Sequence, residues 1–492
     1  MEQDYIKIIF GLKLKQVRTD KGLSLFGLSK LSGLSKSYLN EIEKGKKYPK
    51  PDKIAILSEC LEVSYDDLVS LKLDKKLAPI GEILQSKILK EIPLELFGIQ
   101  ESTLIDIVSN APSKVTAFIS TIIEIAENYN FSRENFYLAS VRSFQEANHN
   151  FFEDLEQSVV TFSKTYQVDL TQKISSQELE DILVEEYSYT INEEAISEYE
   201  ELDNLRSVFV PESKTLLLSN QIDDAQKTFI YAKEIAYNYL KIEERLYTFS
   251  WIEFDNFDQV LNNFYASYFA GALIIPRKRL VSDLKNLFSK TTFDASDFNT
   301  ILNGYNASPE SVYQRLTNIL PKDFNLKSLF FLRFSHKKGS QVYSLNKELH
   351  LSEKQSPHAN QTNEHYCRRW VSLRVINSLS ESDKNHQFDI QISNYPDHKT
   401  SYLVLSSATP DPFKPNWFRS VSIGIQLNTQ SHKKIAFANN PSIQKADVGV
   451  TCERCAIKNC DLRQAPPKVI NSNINDERIA EAVKDLQNKF RK

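Results

Sequence analysis

Residues 24–45 read Ser24-Leu-Phe-Gly-Leu-Ser-Lys-Leu-Ser-Gly-Leu-Ser-Lys-Ser-Tyr-Leu-Asn-Glu-Ile-Glu-Lys-Gly45. Ser24 is a good helix N-cap, since its hydroxyl accepts from a backbone N–H that the first turn leaves open. Leu25, Leu28 and Leu31 follow at helical spacing. Ser32-Gly33-Leu34 is a short turn, with Gly where a positive φ is expected. Ser35 caps a second helix, Lys36 to Lys44, which buries Leu39 and Ile42, and Gly45 ends it. Two helices joined by a tight Gly-containing turn make a helix-turn-helix. Upstream, Phe10 to Arg18 also carries apolar residues at helical spacing.

Charge supports a role for this segment. Residues 1–53 hold 12 Lys and Arg against 6 Asp and Glu, a surplus of +6, while the whole chain is −4, leaving −10 for the rest. A basic end on an acidic body points to a polyanion at the N-terminus. The first positions of the second helix are those that meet base edges in a DNA major groove. Here they are Ser35, Lys36, Ser37, Tyr38 and Asn40, with Glu41 on the same face. Lys44, Lys46, Lys47 and Lys50 are placed to meet phosphates. A helical protein-interaction module of the same fold is the plainer alternative. Cys60, a lone Cys on an apolar face, reads as a small core residue.

The strings GLKLKQVR, GLSLFGLSKLSGLSKSYLNEIEKGKKYPKP and LSECLEVSYDDL stand in order over about 65 residues. Together they resemble the phage-repressor type of helix-turn-helix, the XRE family. The resemblance implies a five-helix DNA-binding domain reading double-stranded DNA, normally as a homodimer.

The 492 residues suggest about three domains. With 41% hydrophobic, 25% charged and 11% aromatic residues, composition is ordinary and excludes wholesale disorder or a collagen-like fibre. No apolar run approaches the ~18 residues of a membrane span. Phe118–Ile125 and Tyr268–Pro276 come nearest. The N-terminus lacks a signal-peptide layout, so a soluble cytoplasmic protein with no membrane partner is expected.

Residues 73–165 read as helix, strongly in Ile80–Ile92, Leu104–Val108, Val115–Tyr129 and Arg133–Phe162, with breaks at Pro93 and Pro112. Within 146–156, Glu-Ala-Asn-His-Asn-Phe-Phe-Glu-Asp-Leu-Glu, His149 among carboxylates reads as an exposed helix surface rather than a metal pair.

Two later helices, Phe229–Tyr239 and Asn263–Pro276, resemble together the ImmA/IrrE family of metallopeptidase-like domains. That family carries HExxH on the first helix, two His binding zinc on one face with a Glu base between them, and a third ligand on the second. Here Lys233 and Tyr237 occupy the His positions and Asn263 the third, so only Glu234 remains. A protonated ammonium cannot ligate zinc and a neutral Tyr is a poor ligand. A surviving scaffold with no catalytic residues, hence no enzyme, is expected. Phe229, Ala232, Ala236, Phe264, Tyr268 and Ala272 are then core packing.

Near the C-terminus comes Cys452-x2-Cys455-x4-Cys460. In a reducing compartment such thiols share a metal or cluster more readily than disulfides. Cys367 supplies a fourth thiolate from about 85 residues upstream, and His365 is a substitute. Four thiolates suit zinc or an iron–sulfur cluster equally. Arg368, Arg369, Arg454 and Arg463 would offset cluster charge, bind phosphates, or be plain surface charge.

Over about residues 5–470 the chain resembles the short-chain fatty-acyl regulators: an XRE helix-turn-helix, a helical linker, an ImmA/IrrE-like domain and a Cys-containing sensor domain. The matching pieces are EANHNFFEDLE, YASYFAGALIIP, SPESVYQRLTNI, LFFLRFSHKKGS, Cys367 before Trp370, and CERCAIKNCDLRQAPP. The resemblance implies a 4Fe-4S cluster, with structural zinc as the alternative cofactor, and an acyl-CoA effector. Strand-like alternation in Phe388–Ile392, Ser401–Ser406 and Val421–Gln426 supports a mixed α/β domain. A last amphipathic helix is expected over Asp476–Lys492.

The expected fold is mainly α with an α+β C-terminal part. Its divisions are 1–72 helix-turn-helix, 73–165 linker and dimerisation region, 166–330 degenerate metallopeptidase-like domain, 331–470 sensor domain and 471–492 tail. The expected function is a metabolite-sensing DNA-binding transcription regulator. The alternatives are a redox or metal sensor without an acyl ligand, and a repressor-cleaving protease, which the missing ligands disfavour.

Overall fold

A computed structural model of the chain describes residues 2–70, 133–249, 254, 256–351, 364–396 and 399–490. The helices expected over Ile80–Ile92, Leu104–Val108 and Val115–Tyr129, with the breaks at Pro93 and Pro112, lie outside these residues. Contacts divide the chain into two compact units, Met1–Ser140 with Asp255–Phe257, and Val141–Phe254 with Asp258–Lys492.

The first unit opens with five helices: α1 (Glu2–Asp20), α2 (Leu25–Ser32), α3 (Lys36–Glu43), α4 (Pro51–Leu61) and α5 (Tyr65–Val69). The caps fall where the sequence puts them. Ser24 Oγ accepts from Gly27 N and Ser35 Oγ from Tyr38 N. Gly33 turns the chain between α2 and α3 at φ +69°. Phe10, Leu14, Leu28, Leu39, Ile42, Ile54, Leu57, Leu61 and Leu68 form one core, with Cys60 half-buried against it. Leu31 stays exposed.

The second unit carries α6 (Arg133–Ala147, which begins in the first), α7 (Glu153–Thr165) and α8 (Ser176–Tyr187). Next come β1 (Thr190–Asn192), β2 (Ser207–Val210), β3 (Thr215–Leu218), α9 (Asp224–Tyr239) and β4 (Thr248–Phe249). Then follow α10 (Phe257–Ile274), α11 (Arg277–Phe288), α12 (Ala295–Asn303) and α13 (Pro309–Asp323). The chain continues with β5 (Leu329–Lys337), β6 (Tyr343–His350), α14 (Val371–Ser380), β7 (Gln387–Tyr395), β8 (Thr400–Pro410) and β9 (Trp417–Gln426). It closes with α15 (Thr429–Lys434), β10 (Lys445–Asp447) and α16 (Lys468–Phe490).

Strands β1–β4 make a small sheet of order β1-β3-β2-β4, and the rest a larger one of order β10-β7-β8-β9-β5-β6. The larger sheet is antiparallel except where β10 runs parallel to β7. Strand β8 is buried on both faces, as a strand covered on each side must be. Tyr313 of α13 shares a 3.0 Å hydrogen bond with Ser407, and on α14 Ser372 accepts one of 2.7 Å from Ser422. One apolar core runs from Val159 to Ile443 and takes in Phe331, Leu403, Leu405 and Ile423. A second gathers Phe330, Leu332, Phe334, Val404 and α14. Gly424 lets the Phe330 ring lie across it, since a Cβ there would sit 2.2 Å from that ring.

The strands expected within 388–392, 401–406 and 421–426 are present inside β7, β8 and β9. The expected helix over 133–162 is broken. Asn148-His149-Asn150 turns between α6 and α7, with His149 and Asn150 both at φ +50°. So the 146–156 segment is not an exposed helix surface. Asn150 is buried, donates to Thr317 Oγ1 at 2.7 Å, and accepts from Asn318 Nδ2 at its carbonyl at 2.6 Å. Those anchors outweigh the helical propensity of the flanks. The last helix begins at Lys468, earlier than expected. Among the described residues, no helix is long and apolar enough to cross a membrane.

Candidate functional site

The exposed end of α3 is the first place to look. Ser35, Lys36, Ser37, Asn40, Lys46 and Lys47 are exposed, while Tyr38 and Lys44 are half-buried. Leu39 and Ile42 fasten the opposite face to the core. Two neighbours constrain this surface. Lys47 pairs with Glu41 at 2.7 Å and sits 6.0 Å over the Tyr38 ring. Lys44 closes α3, its N–H donating to Asn40 O. Beneath, Arg18 makes a two-pronged contact with Glu43 at 2.6 and 2.9 Å and donates to Leu23 O at 2.7 Å. That clamp ties α1 to α3 and to the start of the motif, and fixes how α3 is presented.

Lys233, Glu234, Tyr237 and Asn263, singled out by the resemblance, do come together, as a closed polar cluster. Lys233 donates to Asn263 Oδ1 at 2.6 Å, and the Tyr237 hydroxyl donates to the same oxygen at 3.4 Å. Arg245 holds both oxygens of Glu234 at 2.6 Å, and the Tyr189 hydroxyl donates to Glu234 at 3.0 Å. The Arg245 guanidinium also stacks on Tyr237 at 4.1 Å and on Phe209 at 4.3 Å. Burial pulls the Lys233 amine down to about 7, with Glu234 opposing and Arg245 and Lys347 adding to the shift. Glu234 is therefore committed to an ion pair. The sequence offered no signal for Arg245, which lies outside both helices that carry the motif.

The third place is the cysteine pocket. Cys367, Cys452, Cys455 and Cys460 all line one small cavity of about 10 Å³, with Arg368, Arg369 and Arg463. An antiparallel bridge between Tyr366 and Thr451 joins the two distant segments, and Cys367 N donates to Val450 O at 3.1 Å. Gly449 makes the approach possible, since a Cβ there would lie 2.8 Å from Cys455 Sγ. Burial pushes the Cys367 thiol up to about 11, against backbone N–H donors from Gly449 and Arg369. Gln464 N donates to Cys452 Sγ at 3.4 Å. All five cysteines are unpaired by disulfides. Among the described residues, no three His, Cys, Asp or Glu side chains converge closely enough to hold a metal as they stand. Four thiols with N–H donors aimed at sulfur nevertheless fit a thiolate-bound group by chemistry. Loading one requires the sulfurs to draw together.

His365 does not line this pocket. Its Nδ1 lies 2.8 Å from Glu453 Oε1 and its N–H donates to the same carboxylate, so it is not placed as a fourth ligand. The arginines work locally. Arg463 donates to Cys452 O at 2.9 Å and also to Ile457 O. Arg368 stacks 4.2 Å from the Tyr343 ring, Arg369 reaches Asp447 O and Asn459 O, and Arg454 pairs with Glu364 at 2.9 Å.

Residues 14–68 match the helix-turn-helix family. The matched segment covers the last turns of α1, all of α2, α3 and α4, and most of α5, so the first unit contains an XRE-type helix-turn-helix. At the coarse level, the protein is a DNA-binding transcription regulator. Among solved structures, a Mycobacterium tuberculosis transcriptional regulator is similar at 16% identity and a TM-score of 0.47, covering 66% of this chain and 93% of that one. The restriction-modification controller protein C.AhdI from Aeromonas hydrophila is 35% identical, covering 13% of this chain and 94% of its own, with a TM-score of 0.13. No curated protein matches the chain.

Proposed function

We propose that the protein reads duplex DNA as a homodimer through α3 and senses a metabolite of acyl-CoA type through its second unit, without peptidase activity. The observation that carries DNA reading is the exposed, Ser35-capped start of α3 on a basic five-helix unit. Two copies would meet half-sites about one helical turn apart. The absence of peptidase chemistry is supported by Glu234 locked to Arg245, with Lys233, Tyr237 and Asn263 bonded among themselves.

Cys367, Cys452, Cys455 and Cys460 are proposed to hold a 4Fe-4S cluster, with structural zinc as the alternative. A bound cluster would supply a redox couple and a staple between segments 364–370 and 449–464. The residues themselves prepare that role. Gly449 leaves room for Cys455, Arg463 fixes the carbonyls of Cys452 and Cys455, and N–H groups point at sulfur. The pocket also favours a second reading, a redox or metal sensor with no acyl ligand.

Anaerobic purification with an absorbance spectrum and iron, sulfide and zinc analysis separates the cofactors. About four iron per chain, lost in Cys455→Ala, is the expected result. One zinc per chain would make the site structural, and no metal would sink the assignment. Acyl-CoA titration of the same sample separates the two sensing readings. For DNA, Asn40→Ala should cost ~1–3 kcal/mol on the preferred site and relax base preference, while Lys46→Ala should weaken all sequences alike. Equal losses across sequences for both variants would overturn the orientation of α3.

A further inference from the structure

A second cavity in the second unit is lined by residues other than those of the sites above. It holds about 410 Å³ and lies where the N-termini of α9 and α13 approach β8 and β9. Arg206, Lys347 and Arg419 line it, with Glu310 and Asp223. Phe229, Ile230, Pro410 and Val421 give it an apolar side.

The carboxylates around it are already engaged. Glu310 meets Lys347 at 2.6 Å and Arg333 at 3.2 Å, and Arg419 forks onto Asp411. Asp223 caps α9 by accepting from Gln226 N at 2.8 Å. Arg206 packs 5.3 Å over the Phe413 ring. Burial would raise the Glu310 carboxyl, yet Lys347, Arg333 and Arg206 outweigh it and hold it at about 2. Burial, and then the field of Arg419, pull Arg206 down to about 10. The potential here is thus positive. Four cations face three carboxylates, and the helices of 16 and 15 residues add the positive ends of their dipoles. Half the Lys347 side chain is still accessible, at 50%.

We propose that this cavity binds a small organic anion, its carboxylate or phosphate head toward Arg206, Lys347 and Arg419 and a short apolar body toward Phe229, Ile230 and Val421. A volume of this size falls in the ~300–1,000 Å³ range of small-molecule sites. A dry wall on one side and fixed cations on the other select an amphiphilic anion over an inorganic one, because each part meets its own chemistry. Its effect on DNA rests on the sensing function proposed above, whereas binding itself does not.

The test is calorimetric titration of the full-length protein with butanoate, inorganic phosphate and butyl phosphate as separate probes. Butanoate binding alone fixes the head as carboxylate, butyl phosphate binding alone fixes it as phosphate, and binding of both supports the site with either head. Either is expected to weaken about tenfold or more in Arg206→Gln, as loss of a charged hydrogen-bond donor should. Ala307→Phe, which fills the cavity from its wall, should abolish binding and serves if Arg206→Gln fails to fold. Binding that survives unchanged in both variants overturns the assignment, as does binding of phosphate alone or of no probe. An anion that binds in the cavity but leaves DNA affinity unchanged would remove the sensing reading and leave the site standing.

Discussion

Lys233 shows what a single side chain records here. In the folded protein its amine titrates near 7, against 10.5 when exposed, because burial penalises the charged form. Between those values unfolding takes up a proton. Stability contributed at this position should therefore rise with pH from about 7 to about 10, at up to ~1.4 kcal/mol per unit, and be flat below 7. Urea unfolding of Lys233→Met from pH 6.5 to 9.5 should lack that slope. Parallel curves for the two proteins would mean the amine is charged in place. The resemblance singled this residue out, as a Lys where that family carries a His. Its surroundings could not be read from the sequence, because Arg245 and Tyr189 reach Glu234 from loops that no helical spacing announces.

Among elements, α1 comes very close to α3. A Cβ on Gly11 would lie 2.3 Å from Ile42 O, so these helices touch backbone to backbone. Gly11→Ala should push α3 away and cost ~1–3 kcal/mol, with DNA affinity falling even though no contacting side chain has changed. Unchanged melting and DNA affinity would contradict the contact. A second tie joins α7 to α13. Arg315, fully buried, grips Glu156 at 2.6 and 2.9 Å, and the Tyr268 hydroxyl donates to the same carboxylate. Glu156→Gln leaves Arg315 uncompensated and should cost ~3–5 kcal/mol by denaturant unfolding. Helices α2 and α3 were legible because their caps and glycines are local signals, whereas the count of five came with the resemblance. Strands β1–β4 were not, since runs of two to four residues are too short to show alternation. The turn at 148–150 was hidden for another reason. Its anchors, Thr317 and Asn318, lie over 160 residues away.

For the whole molecule, the uneven charge has a measurable result. The basic segment 1–53, at +6, should bind DNA with a steep salt dependence, and Lys46→Ala should reduce the slope of log affinity against log salt by about one. A slope untouched by that variant would place Lys46 away from phosphate. The N-terminal helix-turn-helix and the strands β7–β9 were visible in the sequence. That Cys367 would join the Cys452–Cys460 segment was expected because three thiols need a fourth and Cys60 is the other cysteine left, and in the fold the meeting follows from the bridge between Tyr366 and Thr451. The positive cavity had no sequence signature, because its cations come from the loop before β2 and from β5, β6 and β9.

The larger sheet has a rim as well as two faces. Its outermost strands are β10, of only three residues, and β6. Strand β6 carries Lys347, Glu348 and His350 near its end, and β10 carries Lys445 and Asp447. Short or charged borders are how a sheet refuses a stray strand from another chain. The aliphatic strands β8 and β9 are held inside, away from either border. A protein that must stay dispersed while it searches a genome gains colloidal security from that arrangement, and neutralising β6 is where clumping would begin.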